Sequence, residues 1–266
     1  DEQLERAKAV GVSALITSGC QIDELAPTVR LTEQYPQVFC ALAIHPNEAA
    51  LHAKVVAKAP DGQTYSLKPW HENYSLEQAI AEVYEQVKGC DKAVAIGESG
   101  LDYFRTSAQG KSAQQQAFRM HISLAKELNL PLQIHDREAH ADTIRILMEE
   151  GAPERTVFHC FSGDKEMAQV LAEQGWYASI AGPVTYNAND WQRDAAREIP
   201  ASLLLVETDA PYLTPHPHRG QPNASYMLAW TVRKLAEVTD KSEPELVSQL
   251  LSNTCEVYGQ AVTALD

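Results

Sequence analysis

The chain has 266 residues, 44% of them hydrophobic and 22% charged, which is the composition of an ordinary soluble globular protein. A formal net charge of −14 argues against a protein that coats duplex nucleic acid, but is compatible with an enzyme whose carboxylates bind cations. The five cysteines are scattered and the sequence shows neither a long apolar run nor a leader, so we expect a cytoplasmic protein without membrane association.

Short apolar runs alternate with amphipathic segments along the whole chain. A charged helical segment at residues 1–11 comes first. The predicted strands are 13–17, 38–44, 93–96, 131–134, 156–158, 177–180 and 203–206. The other predicted helices are 24–35, 76–87, 112–128, 139–150, 165–174, 190–198, 225–238 and 243–258. This alternation predicts an α/β fold with a parallel sheet and right-handed crossovers.

Two α/β architectures fit this order of elements. An open doubly wound sheet would carry a glycine-rich turn after its first strand, and no GxGxxG follows residues 13–17. Polar residues instead follow many of the strands, which is typical of a TIM (β/α)8 barrel. Seven predicted strands leave such a barrel one short, and the chain begins inside the helix that should follow the first strand. We therefore expect a single barrel domain over residues 1–266, with the first strand missing from this sequence.

The segment at about 47–75 interrupts this rhythm and is too long for an ordinary connection, so it is interpreted as an insertion or a functional flap. It carries the aromatic residues Tyr65, Trp70 and Tyr74. These rings either stack on unpaired bases or form a small cluster that anchors the loop.

Ionisable residues of the metal-ligand type end five different predicted strands. They are His45, Glu98, His135, His159 and Asp209. A barrel would collect them at one face, where mixed imidazole and carboxylate groups favour a site for two divalent cations. Such a pair of cations acidifies water, and Asp209 is suited to accept the proton. The pattern therefore predicts a hydrolase.

Six stretches in chain order extend this pattern. They are Ala43-Ile44-His45-Pro46, Ile96-Gly97-Glu98-Ser99-Gly100-Leu101-Asp102-Tyr103, Ile134-His135-Asp136-Arg137, His159-Cys160-Phe161-Ser162-Gly163, Glu207-Thr208-Asp209-Ala210-Pro211-Tyr212-Leu213, and Arg219-Gly220 followed by Asn223. Together they resemble the TatD family of metal-dependent deoxyribonucleases, within the amidohydrolase superfamily. The resemblance covers nearly the whole chain.

The resemblance implies roles for particular residues. Glu98 would bridge two metals, His135 and His159 would bind the second, and Asp209 would bind the first while activating water. Asp209 and Glu98 are thus the expected catalytic residues. The candidates for holding a substrate phosphate are His45, Arg137, Ser162 and Arg219. Arginine suits this task through its bidentate fork, although both arginines could equally be structural.

One departure concerns the first strand. Members of the family carry a His-x-His pair at its end, and no such pair precedes Asp1. A missing N-terminal segment would explain both this and the strand count. The expected cofactors are two divalent ions, and Mg²⁺, Mn²⁺ and Zn²⁺ all remain open.

Three functions from different classes remain. The first, which the resemblance implies, is hydrolysis of phosphodiester bonds in DNA, as a 3′–5′ exonuclease on single-stranded ends. The second is hydrolysis of an ester, amide or lactone by the same fold, including deacylation of aminoacyl-tRNA. The third is a non-catalytic binding protein that has lost its first metal. We expect DNA as the partner and no obligate protein partner.

Overall fold

The described part of the chain, residues 2–262 of a computed structural model, divides into two compact units. Unit A comprises residues 16–156, and unit B comprises residues 2–15 and 157–262. The expectation of one domain over residues 1–266 stays a prediction. No helix within residues 2–262 is both long and apolar enough to cross a membrane.

Unit A alternates strands with helices. Its strands are β1 (Leu15–Gly19), which begins at the edge of the unit, β2 (Val38–Leu42), β3 (Ala93–Asp102) and β4 (Leu132–Arg137). Its helices are α2 (Ile22–Gln34), α3 (Pro46–His52), α4 (Pro69–Asn73), α5 (Leu76–Lys88), α6 (Lys111–Leu128) and α7 (His140–Glu150). The strands lie in sequence order, and β3 pairs in parallel with both β2 and β4. Every residue of β2 is buried, as its continuous apolar run predicts.

Unit B follows the same order of elements. Its helices are α1 (Glu2–Ala9), α8 (Lys165–Gln174), α9 (Asp190–Glu198), α10 (Leu228–Val238) and α11 (Glu243–Tyr258). Its strands are β5 (Thr156–Phe158), which begins at the edge of the unit, β6 (Tyr177–Ile180) and β7 (Leu204–Val206). These strands are parallel and lie in sequence order. The buried residues Val157, Tyr177, Leu205 and Val257 form a core cluster between strands and α11. The predicted α/β class is confirmed.

Local signals explain why several helices match their predicted bounds. Asp164 caps α8 by accepting the backbone N–H of Met167 at 2.9 Å, and Gly175 ends the helix in the left-handed conformation. Ser75 and Gln78 form a reciprocal capping box at the start of α5. These caps satisfy backbone groups that a helix end would leave without partners.

The predicted end of β3 at Ile96 is wrong. The strand continues to Asp102 because residues 99–102 pair with residues 134–137 of β4. The register of the β3–β4 pairing shifts between Ile96 and Ser99, and regular pairing continues after this irregularity. Glu98 therefore lies within the strand instead of after it.

The predicted irregular segment at 47–75 contains two short helices. His45 caps α3 and Pro46 occupies its first turn, where the absent N–H of proline costs nothing. β2 correspondingly ends at Leu42, two residues earlier than predicted. His45 thus serves as a helix cap as well as a candidate site residue.

Candidate metal centre

Three of the predicted site residues converge in unit A. One ligand atom each from His45, Glu98 and His135 lies within 4.8 Å of the others. The two imidazole rings meet edge to face, with centroids 4.5 Å apart. All three side chains are partly exposed, so the group is accessible to a small ligand.

The backbone of β3 and β4 approaches closely at this group. Gly100 pairs with His135 in the parallel ladder. A Cβ at Gly100 would lie 2.1 Å from the carbonyl oxygen of His135, and the φ of +134° disfavours any other residue. Gly100 is therefore required for the position of the His135 backbone.

A buried carboxylate orients the His135 ring. Nε2 of His135 lies 3.2 Å from Oδ2 of Asp102, whose side chain is 1% exposed. The other carboxylate oxygen accepts the backbone N–H groups of Phe104 and Arg105. Burial raises the pKa of Asp102, but the hydrogen bond and charge of His135 outweigh it and lower the pKa to about 2. Asp102 is thus an anion that can accept a proton from Nε2 and hold the His135 ring in one orientation.

The hydrogen bonds of His45 define its tautomer. Nδ1 accepts the backbone N–H of Asn47 at 3.2 Å, so the proton of the neutral ring lies on Nε2. The side-chain amide of Asn47 also donates to Asp102 at 3.3 Å. A proton on Nε2 suits donation to an oxygen acceptor such as a phosphate better than binding of a cation.

A second carboxylate–histidine pair lies in unit B. Nδ1 of His159, which directly follows β5, lies 2.8 Å from Oε1 of Glu207. Burial raises the pKa of Glu207, but the charge and hydrogen bond of His159 prevail and lower it. The opposite nitrogen, Nε2, lies 4.0 Å from Oδ1 of Asp209, beyond hydrogen-bond distance. The His159 ring therefore presents its second nitrogen to Asp209.

Both pairs have the carboxylate–histidine contact that orients metal-binding histidines in proteins. One ring nitrogen donates to a carboxylate, which fixes the ring and leaves the other nitrogen with a lone pair. His135 and Glu98 of unit A offer nitrogen and oxygen donors, and so do His159 and Asp209 of unit B, and donors of these types fit Zn²⁺, Mn²⁺ or Mg²⁺. These residues could therefore hold divalent ions, although the ligand assignment stays a prediction.

The two orienting carboxylates were not among the predicted site residues. Asp102 and Glu207 each lie within a stretch that carries a predicted ligand, four residues after Glu98 and two before Asp209. Acidic residues beside a ligand are a weak signal, because spacing alone does not show which carboxylate faces an imidazole.

The remaining predicted substrate-binding residues lie in different environments. Arg137 ends β4, and its guanidinium lies 4.1 Å from the centroid of the Phe104 ring. Arg219 is exposed in the loop after β7 and stacks on Tyr186 at 4.1 Å. Ser162 is exposed between β5 and α8. No phosphate contact tests these three assignments, which stay predictions.

A third group of possible ligands lies in the segment 47–75. Glu48, His52 and His71 offer atoms within 4.8 Å of one another, and both histidines are buried. The backbone N–H of Lys68 donates to Nδ1 of His71 at 2.8 Å, so the proton lies on Nε2, which donates to Glu48 at 2.7 Å. Trp70 donates to the same carboxylate oxygen at 3.2 Å. These protons fit a hydrogen-bonded anchor better than a cation site, and they favour the anchoring alternative for Trp70.

Comparison with known proteins agrees with this geometry. The family model described as "TatD related DNase" matches residues 1–259. The "uncharacterized metal-dependent hydrolase TatD" of Mycobacterium tuberculosis is 35% identical, with 96% of this chain and 89% of the relative covered. The metal-dependent hydrolase YabD of Bacillus subtilis is 32% identical over 97% of this chain and 92% of the relative. The crystal structure of YjjV, a TatD homologue from Escherichia coli, matches with a TM-score of 0.80 and 27% identity over 97% of this chain and 90% of that one.

The fold and the imidazole–carboxylate groups define a metal-dependent hydrolase of the α/β, TIM-barrel type. Within that class, the chain belongs to the TatD family. The predicted fold class and the predicted family are both confirmed. The His-x-His pair and the first strand expected before Asp1 lie outside the described residues and stay predictions.

Proposed function

We propose that this chain is a divalent-metal-dependent deoxyribonuclease that removes nucleotides from the 3′ ends of single-stranded DNA. The observation that carries the proposal is the pair of imidazoles, His135 and His159, each oriented by a carboxylate. The family description as a related DNase supports the choice of a phosphodiester as the bond that is cleaved.

Each residue then has a role that its chemistry supports. Glu98 and His135 of unit A, and His159 and Asp209 of unit B, would hold two divalent ions, which would supply an acidified water and neutralise charge on the phosphodiester. Asp209 also accepts a proton from the attacking water. His45 donates its Nε2–H to a phosphate oxygen, since its Nδ1 already accepts from Asn47.

Charged and polar side chains in each unit are further candidates for holding a phosphate. Arg137 contacts the face of the Phe104 ring and Arg219 that of Tyr186, and a guanidinium in such a contact can still donate from its edge to a phosphate. Ser162 adds an exposed hydroxyl donor. These groups orient the strand end for in-line attack.

The test uses a 5′-labelled single-stranded oligonucleotide and protein loaded with Mg²⁺ or Mn²⁺. A ladder that shortens from the 3′ end and disappears in Glu98→Ala and Asp209→Ala is expected. Glu173→Ala, which removes an exposed carboxylate on α8, is the control and should cut like the unmodified protein. Metal-loaded protein that leaves the oligonucleotide intact would overturn the nuclease proposal, as would full activity in both site variants.

A further inference from the structure

Tyr212 is unusually exposed to solvent for a large aromatic residue. Its side chain is 70% exposed, the largest value among the exposed large hydrophobic residues of the described chain. It follows Asp209 by three positions, and its backbone N–H donates to the Asp209 carbonyl at 2.9 Å. Tyr212 is therefore the last residue of a turn whose first residue is Asp209, a proposed catalytic residue.

The backbone that carries Tyr212 is held by one buried side chain. The amide of Asn223 donates to the carbonyls of Thr208 at 2.7 Å and Tyr212 at 2.6 Å. The backbone N–H of Asn223 donates to the carbonyl of Pro211 at 3.0 Å. An exposed ring on a clamped backbone contributes little to folding, but loses little conformational entropy when a flat ligand packs on it.

The sequence segment that carries Tyr212 differs in charge from the rest of the chain. Residues 210–236 contain no Asp or Glu, although 36 acidic residues occur in the 266-residue chain. The cations of this segment are Arg219, Arg233 and Lys234. Arg233 and Lys234 pair with Glu243 and Glu237, whereas within residues 2–262 Arg219 has no carboxylate partner. Residues 210–236 themselves therefore add no negative charge that would repel a polyanion, although Glu207 and Asp209 directly precede them.

The same loop also carries an exposed cation, Arg219. Arg219 stacks on Tyr186 at 4.1 Å, and the Tyr186 hydroxyl donates to the carbonyl of Thr214 at 3.1 Å. The loop after β7 therefore presents one exposed aromatic ring and one exposed cation. Flat apolar faces beside positive charge are the features with which proteins bind unpaired nucleotides.

We propose that Tyr212 stacks on the unpaired base next to the scissile phosphodiester and so selects single-stranded ends. The inference rests on the proposed nuclease function and names the residue that recognises its substrate. A base in a duplex is already stacked and paired, so it must be released before it reaches the ring. Stacking accepts every base, which makes the selection one of strandedness and not of sequence.

The experiment measures kcat and KM on single strands whose last two nucleotides either carry bases or are abasic. Tyr212→Ala should raise KM about tenfold on the normal strand and less than about twofold on the abasic strand. Tyr212→Phe should behave like the unmodified protein, because the ring is kept. Trp191→Ala, which removes another exposed ring at 46% exposure, is the matched control and should change neither constant.

Binding gives a readout that does not depend on cleavage. Glu98→Ala protein should quench the fluorescence of a terminal 2-aminopurine, and adding Tyr212→Ala should abolish that quenching. If the unmodified enzyme cuts DNA while Tyr212→Ala matches it on both strands, the stacking inference is wrong and the nuclease proposal stands. If the unmodified enzyme does not cut DNA at all, the nuclease proposal itself has failed.

Discussion

The carboxylate–histidine pairs of the two units perform similar tasks in different surroundings. In unit A, Asp102 is 1% exposed and accepts hydrogen bonds from backbone groups of the following loop as well as from His135. In unit B, Glu207 is 19% exposed and lies 2.8 Å from His159. Glu207 also accepts hydrogen bonds from the Ser179 side chain and the Cys160 backbone, so the two carboxylates differ mainly in how deeply they are buried. The same chemistry at two sites does not imply the same contribution to stability.

The largest expected effect concerns the backbone beneath the unit A pair. Gly100→Ala should lower the free energy of unfolding by about 3 kcal/mol or more, because the new Cβ would lie 2.1 Å from the His135 carbonyl oxygen. Gly175→Ala is the control in unit B, since no atom lies within 4 Å of its Cβ position. It should cost only about 1 kcal/mol for its left-handed backbone. Urea unfolding of both variants checks the difference, and equal losses would contradict it.

The next prediction compares the Asp102–His135 and Glu207–His159 pairs directly. Asp102→Asn and Glu207→Gln should each weaken metal binding by about 10- to 100-fold, because each removes the anion that orients a histidine. Asp102→Asn should also cost about 2 kcal/mol of stability, whereas Glu207→Gln should cost about 1 kcal/mol, because its carboxylate is 19% exposed and that of Asp102 only 1%.

Calorimetric metal titration and unfolding of the chelator-treated protein measure these two quantities separately. Glu173→Gln on an exposed helix face serves as the control for loss of charge. A stability loss in Glu207→Gln as large as that in Asp102→Asn would show that the two carboxylates are equivalent after all.

His121 of unit A is buried and structural, unlike the partly exposed histidines of the candidate site. His121 accepts the N–H of Ile44 at 3.1 Å and donates to the carbonyl of Ala117 at 2.7 Å. Burial lowers its pKa from 6.5 to about 4, so the folded protein keeps it neutral where the unfolded chain is already protonated. Its contribution to stability is complete above pH 6.5 and is lost as the pH falls towards 4.

Between pH 7 and pH 5 this linkage should cost about 2 kcal/mol of unfolding free energy. His121→Gln should be less stable at pH 7, but should lose about 2 kcal/mol less over the same pH range. Urea titrations at both values test this, and an identical pH dependence in the variant would rule out His121 as the source.

The smallest effect lies in the segment 47–75 of unit A. Trp70→Phe removes the 3.2 Å hydrogen bond to Glu48, while that carboxylate keeps its bond to His71. We expect a loss of about 1 kcal/mol in stability and no change beyond about twofold in nuclease kinetics. A selective rise in KM for single strands would revive the interpretation of Trp70 as a base-stacking residue.

Most of the secondary structure was predictable because its signals are local. Asp164 and Gly175 mark the ends of α8 in the sequence itself, and the apolar run at 38–42 can only be a buried strand. The extension of β3 was not predictable, because Gly97 and Gly100 resemble a strand end until β4 lies beside them. The short helices α3 and α4 were not predicted, because their N-cap residues, His45 and Lys68, are unusual at helix starts.

For the site, the sequence by itself determined which chemistry is present. Histidines and carboxylates after successive strands, in the order of the TatD motifs, predicted a metal-dependent hydrolase before any distance was known. Only the tertiary structure decided how these groups are protonated and oriented. Contacts between distant residues assign Asp102 to His135 and Glu207 to His159, and the hydrogen bond from Asn47 places the proton of the neutral His45 ring on Nε2. A ring's tautomer depends on which partner reaches each nitrogen, and that depends on packing between strands far apart in the chain.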